Sequence, residues 1–129
     1  MTTSKQDFSL TQIGQIAIPV KDVDRATTFY RDTLGMRFLF SAPNLAFFDC
    51  GGVRLMLTVP EKAEFDHPAS ILYYKVQDIQ AAHKTLTEHG VAFEQNPGLV
   101  HKAEDHDLWI AGFRDSEGNY VALMSEVPH

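Results

Sequence analysis

An internal repeat constrains this chain more than any other feature. Val20, Asp22, Val23 and Ala26 are answered by Val76, Asp78, Ile79 and Ala82, each 56 residues later. Further along, Gly52 and Leu55 are answered by Gly118 and Val121, each 66 residues later. A supersecondary unit that recurs in this way buries its apolar face against its own copy. The segments between the markers give the unit its content. Ile13 to Val20 is rich in Ile and Val and predicts a strand. Asp22 stands where a helix N-cap belongs, because its carboxylate can accept a free backbone N–H. Val23, Ala26, Tyr30 and Leu34 follow at helical spacing, and Gly35 supplies the helix stop. Met36–Ser41, Leu45–Cys50 and Val53–Val59 predict three more strands, the last two joined at Gly51-Gly52. The second copy runs through a strand at Ser70–Val76, a helix from Asp78 to Gly90, and a strand beginning at Val91–Glu94. Its last strands, Leu108–Arg114 and Asn119–Ser125, are joined by the turn DSEG.

The predicted fold is therefore α+β: two βαβββ modules in one domain spanning residues 1–129. Module one covers about 11–60, the polar stretch 61–69 is a linker, and module two covers about 70–126. Gln95 to Asp107, with Pro97, Gly98, His101 and His106, is expected to be a long loop over a binding site. Strand alternation sorts the faces. Ile16, Ile18, Val20, Leu55, Leu57, Leu72, Tyr74, Val121 and Leu123 fall toward the helices. Gln15, Arg54, Met56, Ile71, Tyr73, Lys75, Tyr120, Ala122 and Met124 fall on the other side. Trp109, in LWIAGF, is left open by parity because both faces of that strand are apolar.

Composition narrows the function classes. With 11 Lys plus Arg against 17 Asp plus Glu, the net charge is -6, and the chain shows no basic stripe of the kind a nucleic acid needs. A single cysteine, Cys50, excludes an intrachain disulfide and any CxxC site. The opening MTTSKQDFSL lacks the apolar core of a leader, and no apolar run reaches membrane-spanning length. The expectation is a cytoplasmic protein without nucleic-acid or membrane partners. His101, Glu104, Asp105, His106 and Asp107 crowd one segment, but HxxxxH is not a defined zinc spacing. His101 is the candidate proton-transfer group there.

The stretches IAIPVKDVDRATTFYRDTLGMRF and FRDSEGNYVALM, together with the repeat, resemble the vicinal oxygen chelate superfamily. Its members include glyoxalase I, extradiol dioxygenases and bleomycin-binding resistance proteins. The resemblance implies a cupped, partly closed eight-stranded mixed sheet with the helices outside. It also implies four inner positions that carry metal ligands in the metal enzymes. By the motif match those positions are Gln15, Met56, Ile71 and Ala122, and the repeat spacings pair them the same way. Ile71 and Ala122 offer no donor atom and Met56 offers only a soft thioether, so the expectation is no metal and no cofactor. The resemblance further implies a homodimer.

A cup lined by Gln15, Arg54, Met56, Ile71, Tyr73, Lys75, Tyr120, Ala122 and Met124, with Trp109 at its mouth, suits a small, mainly apolar or aromatic ligand. A cation such as Arg54 or Lys75 would meet an anionic group on it. Two alternatives remain open at this point. One is a lyase, isomerase or dioxygenase using His101 and His106. The other is a protein-interaction module.

Overall fold

The computed structural model describes Phe8 and residues 10–129; the opening segment Met1–Asp7, part of the stretch read as lacking a leader core, lies outside the described residues. Among the described residues, eight strands and two α-helices follow the repeated order. Module one comprises β1 (Gln15–Pro19), α1 (Val23–Thr28), β2 (Arg37–Ala42), β3 (Leu45–Cys50) and β4 (Val53–Thr58). Module two comprises β5 (Leu72–Lys75), α2 (Ile79–Glu88), β6 (Phe93–Lys102), β7 (His106–Arg114) and β8 (Tyr120–Pro128). The strands form two four-stranded sheets, ordered β1-β4-β3-β2 and β5-β8-β7-β6. In each, the first strand runs parallel to the last and the remaining pairs are antiparallel. The expected cup is thus built from two open sheets and not from one continuous ladder.

Both helix starts form for the predicted reason. The Asp22 carboxylate accepts from the Arg25 N–H at 3.0 Å, and that of Asp78 accepts from the Ala81 N–H at 3.1 Å. Gly35 and Gly90 take positive φ values of 73° and 93° after the helices, a region that only glycine enters without strain. The first helix differs from a plain α-helix in its second half. Phe29–Thr33 is a π-helical turn, closed by Leu34 N–H donating to Phe29 O at 3.0 Å. Just before it, the Thr27 and Thr28 hydroxyls donate to the carbonyls of Val23 and Asp24. Such back-bonding competes with the regular ladder and bends helices.

The core lies between the helices and the inner faces of the sheets. Ile18, Val20, Tyr30, Phe48, Leu55 and Leu57 form its first part. Ile79, Val91, Phe113, Val121 and Leu123 form the second. Tyr74, Phe29 and Leu34 pack against both. A bulge in β2 shifts the register between Phe38 and Phe40. Phe38 stays over Phe48 in the core, whereas Phe40 stacks on Phe47 with 4.5 Å between ring centroids.

A polar clasp joins the modules. Glu117 follows β7 in the DSEG turn, and its side chain is fully buried. One oxygen accepts the N–H groups of Lys21 and Asp22, each at 2.9 Å; the other takes the Arg25 Nε–H at 2.7 Å. Burial alone would raise the pKa of this carboxyl. The Arg25 guanidinium and the two backbone N–H groups outweigh burial and hold it down at about 2. Beside it, the Tyr30 hydroxyl donates to Asp115 at 2.7 Å, and the Asn119 amide donates to the Pro19 carbonyl at 2.9 Å. The last hairpin of module two therefore fixes the end of β1 and the start of α1.

The segment Gln95–Asp107 corrects one expectation. It is not a long loop: β6 runs to Lys102 and β7 begins at His106, leaving a turn of residues 103–105. Pro97 is tolerated because β6 is an edge strand, and three register shifts absorb the irregularity.

Candidate functional site

The side of the sheets away from the helices carries two clefts that meet over β1. The first, of about 550 Å³, is bounded by Pro19, Lys21, His67, Ile71, Arg114 and Tyr120, among others. The second, of about 530 Å³, is bounded by Ala17, Pro19, Leu45, Met56, Thr58 and His67, among others. Pro19 and His67 belong to both. Chain geometry explains the position of His67. The linker must return from β4 to β5 across the strand ends, which carries Asp66, His67 and Pro68 over the junction of the two sheets.

Tyr120 forms much of the floor on the module-two side. Its ring lies across Gly112, where a Cβ would fall 1.8 Å from the phenol oxygen. Its hydroxyl donates to the Gln95 side-chain oxygen at 3.3 Å. The Arg114 guanidinium stands 5.1 Å from the Tyr120 ring centroid and donates to Glu94 at 3.2 Å. Lys21 has no carboxylate partner among the described residues, so the first cleft presents a cation to solvent. The His67 Nδ1 lies 3.0 Å from the Pro68 carbonyl. A carbonyl only accepts, so Nδ1 carries the proton and Nε2 is the ring's acceptor when the imidazole is neutral.

The residues singled out in the sequence are divided by this geometry. Met56 lines the second cleft; Ile71 and Tyr120 line the first. Ile71 and Tyr73 are 46% and 52% exposed. Gln15 is at the other end of β1 from Pro19, roughly 13 Å along the strand, and its amide N–H donates to the Met56 Sδ at 3.7 Å. Arg54 pairs with Gln15 in register and lies over the Phe47 ring at 5.7 Å. Ala122 is only 1% exposed, opposite Gly112. Lys75 is committed to Glu126 at 2.9 Å, and Met124 pairs with it in register. Trp109 packs against the module-two core, on the face it shares with Ala111 and Phe113, so it lines neither cleft. The four inner positions thus do not ring one cavity.

His101 and His106 are also placed away from the clefts. His101 pairs with Leu108 in the β6–β7 hairpin. The His106 ring sits between Asp105, at 2.7 Å, and Glu126, at 3.2 Å. His129 lies beside Asp107 at 2.9 Å, which raises the histidine pKa and lowers that of the aspartate. Sequence reasoning missed His67, Lys21 and Arg114. Arg114 was signalled by its even spacing from Gly112 on the same strand; the place of His67 depends on the path of the linker.

Residues 12–123 match the sequence profile of the Glyoxalase/Bleomycin resistance protein/Dioxygenase superfamily. The chain belongs to that superfamily. A glyoxylase-like domain-containing protein of Didymella fabae is 33% identical over 129 residues, covering 88% of this chain and 93% of its own length. A superfamily member from Sphaerobacter thermophilus superposes with a TM-score of 0.74 at 27% identity, covering 91% of this chain and 98% of that one. A lactoylglutathione lyase from Agrobacterium tumefaciens superposes with a TM-score of 0.71 at 22% identity, covering 90% and 94%. That last likeness is one of fold.

The superfamily's metal enzymes set the question of whether these residues suit a divalent ion. Gln15 contributes one amide, already turned to the Met56 thioether. Ile71 has no donor atom, and neither does Ala122, whose methyl is covered. An amide and a thioether do not make a site for a hard divalent ion. No helix among the described residues is long and apolar enough to cross a membrane.

Proposed function

We propose that this superfamily member binds a small, mainly apolar or aromatic organic anion in the paired clefts, without the divalent metal its metal-dependent relatives hold. The observation that carries this reading is the meeting of two clefts, each of a volume usual for small-ligand sites, at Pro19 and His67. Ile71, Tyr120, Met56 and Ala17 give the clefts apolar wall, and Lys21 and Arg114 put two cations on the first of them. Arg beside an aromatic floor suits a carboxylate on a flat ring. A homodimer is part of the proposal, supported by the exposed Phe40, Ile71 and Tyr73 on the side of the clefts; so is a cytoplasmic site of action.

Benzoate and the neutral benzamide serve as probes, each titrated against EDTA-treated protein by NMR. Benzoate is expected to shift Ile71, Ala17 and Tyr120, to bind more tightly than benzamide, and to lose that advantage in the Lys21→Ala variant. Equal affinity for both probes refutes the anion preference. A stoichiometric divalent metal held at Gln15 and Met56 after dialysis refutes the metal-free reading.

One observation favours a lyase or isomerase as a second reading: the His67 Nε2 acceptor beside both clefts. It moves the candidate proton carrier from His101 and His106 to His67. Turnover that survives His67→Ala unchanged excludes it.

A further inference from the structure

The two clefts differ in chemistry. Two acids bound the first, Asp66 and Glu117. Glu117 is buried and already held by Arg25 and two backbone N–H groups. That leaves Asp66 against two cations, Lys21 and Arg114. Arg114 shares its charge with Glu94, so Lys21 is the cation with most left to offer. The excess charge of this cleft is positive.

The second cleft has no such excess. Its charged residues, Glu61 and Lys62, are adjacent, exposed and of opposite sign. Its floor is laid by three neighbouring strands. Ala17 of β1 pairs with Met56 of β4, and Thr58 of β4 pairs with Leu45 of β3. Neighbouring strands stand about 4.8 Å apart, so the floor is roughly 10 Å wide. Two of its backbone carbonyls are engaged: that of Thr58 accepts the Val20 N–H at 2.9 Å, and that of Asn44 accepts the Val59 N–H at 3.1 Å. Ala17, Leu45, Met56 and Val59 supply its apolar surface.

The joint between the clefts puts no polar barrier in the way. Proline has no N–H, and the Pro19 carbonyl already accepts the Asn119 amide at 2.9 Å. The floor of the joint therefore offers a pyrrolidine ring, with His67 as the neighbouring side chain common to both clefts.

We propose, resting on the reading of the paired clefts as one ligand site, that the ligand is an amphiphile laid across both. Its anionic head lies in the first cleft at Lys21 and Arg114, and its apolar tail crosses Pro19 onto the floor of the second. The reverse orientation would strip water from the anion without giving it a partner, and would cover Lys21 with hydrocarbon. A ring with a carboxylate at one end and an alkyl chain at the opposite end is the simplest molecule of this class.

Benzoate and 4-butylbenzoate are the probes, titrated against the EDTA-treated protein by NMR. Full burial of one methylene is worth about fourfold in affinity, and an open floor covers about half of each, so the four added carbons are expected to tighten binding about tenfold. The longer probe is expected to shift the methyl signals of Leu45, Met56 and Val59, which benzoate leaves in place. Lys21→Ala is expected to weaken both probes by the same factor, because the head occupies the first cleft in each complex. Thr58→Trp fills the second cleft and is expected to bring the two affinities within about twofold of each other. Equal affinity for the two probes in the parent overturns the proposal and leaves the anion preference of the clefts standing. So does a tighter 4-butylbenzoate that leaves Leu45, Met56 and Val59 unmoved, or one that loses nothing in Lys21→Ala. A Thr58→Trp variant, folded by its methyl spectrum, that keeps the gain does the same. If neither probe binds, the reading of the clefts falls and this proposal falls with it.

Discussion

The substitution Glu117→Gln isolates the charge in the clasp between the modules. The folded carboxyl titrates at about 2 against an ordinary 4.5, a difference of about 2.5 units. At about 1.4 kcal/mol per unit, that corresponds to roughly 3 kcal/mol of stability at neutral pH. Arg25 is 53% exposed, so water screens part of its share and the expected loss is about 2 kcal/mol. Because the folded pKa lies below the unfolded one, this stability is complete above about pH 5 and is lost as the pH falls toward 2. The substituted amide cannot ionise and carries no such dependence. Asp32, Asp105, Asp107 and Glu126 also titrate low, but they are common to both proteins and cancel in the comparison. Urea unfolding of parent and variant across this range gives the test. The gap is expected to be about 2 kcal/mol near neutrality and to close toward pH 2. A gap that stays constant with pH refutes the electrostatic reasoning, since it would come from packing or hydrogen-bond geometry alone. A gap below about 0.5 kcal/mol at neutral pH shows that the clasp contributes nothing beyond an ordinary surface position.

Gly112→Ala is expected to displace the Tyr120 ring, because the new methyl would overlap the phenol, at a cost of about 1–3 kcal/mol. In a Tyr120→Ala background the same change should cost far less, and a double-mutant cycle showing no coupling refutes the close approach. The Cys50 thiol is raised in pKa by burial and then by Asp49, so iodoacetamide should modify it more slowly in the folded protein than in urea at the same pH; equal rates count against that burial.

The fold was legible wherever local chemistry and repeat spacing agreed. Asp22 and Asp78 announced both helix starts, and the alternation of Val53–Thr58 and Tyr120–Ser125 sorted core from cleft side. The start of β6 was legible at Val91–Glu94, but its continuation to Lys102 escaped because Pro97, Gly98 and a run of His and acidic residues resemble a loop. Only its place at the sheet edge lets such a composition pair. Trp109 could not be oriented from sequence because Leu108 and Ile110 are apolar too; packing against α2's sheet face decided it. The inner positions Gln15, Met56, Ile71 and Ala122 came from the resemblance and its motif match, with the repeat spacings pairing them the same way. That Met56 and Ile71 line different clefts while Gln15 and Ala122 line neither depends on how the sheets splay, and no single strand encodes that. His67 shows the same limit, since a linker's route across strand ends belongs to the assembled chain.

The clasp also breaks the symmetry of the repeat. At the spacing that relates the two final hairpins, the counterpart of Glu117 is Gly51, which has no carboxylate to offer the start of α2. The molecule closes like a buckle with its tongue on the later half and its slot on the earlier one. Two copies of the first half would have slots and no tongue. The repeat is thus unequal at one acidic side chain: Glu117 of the later half holds the start of α1, and the earlier half offers α2 no such group.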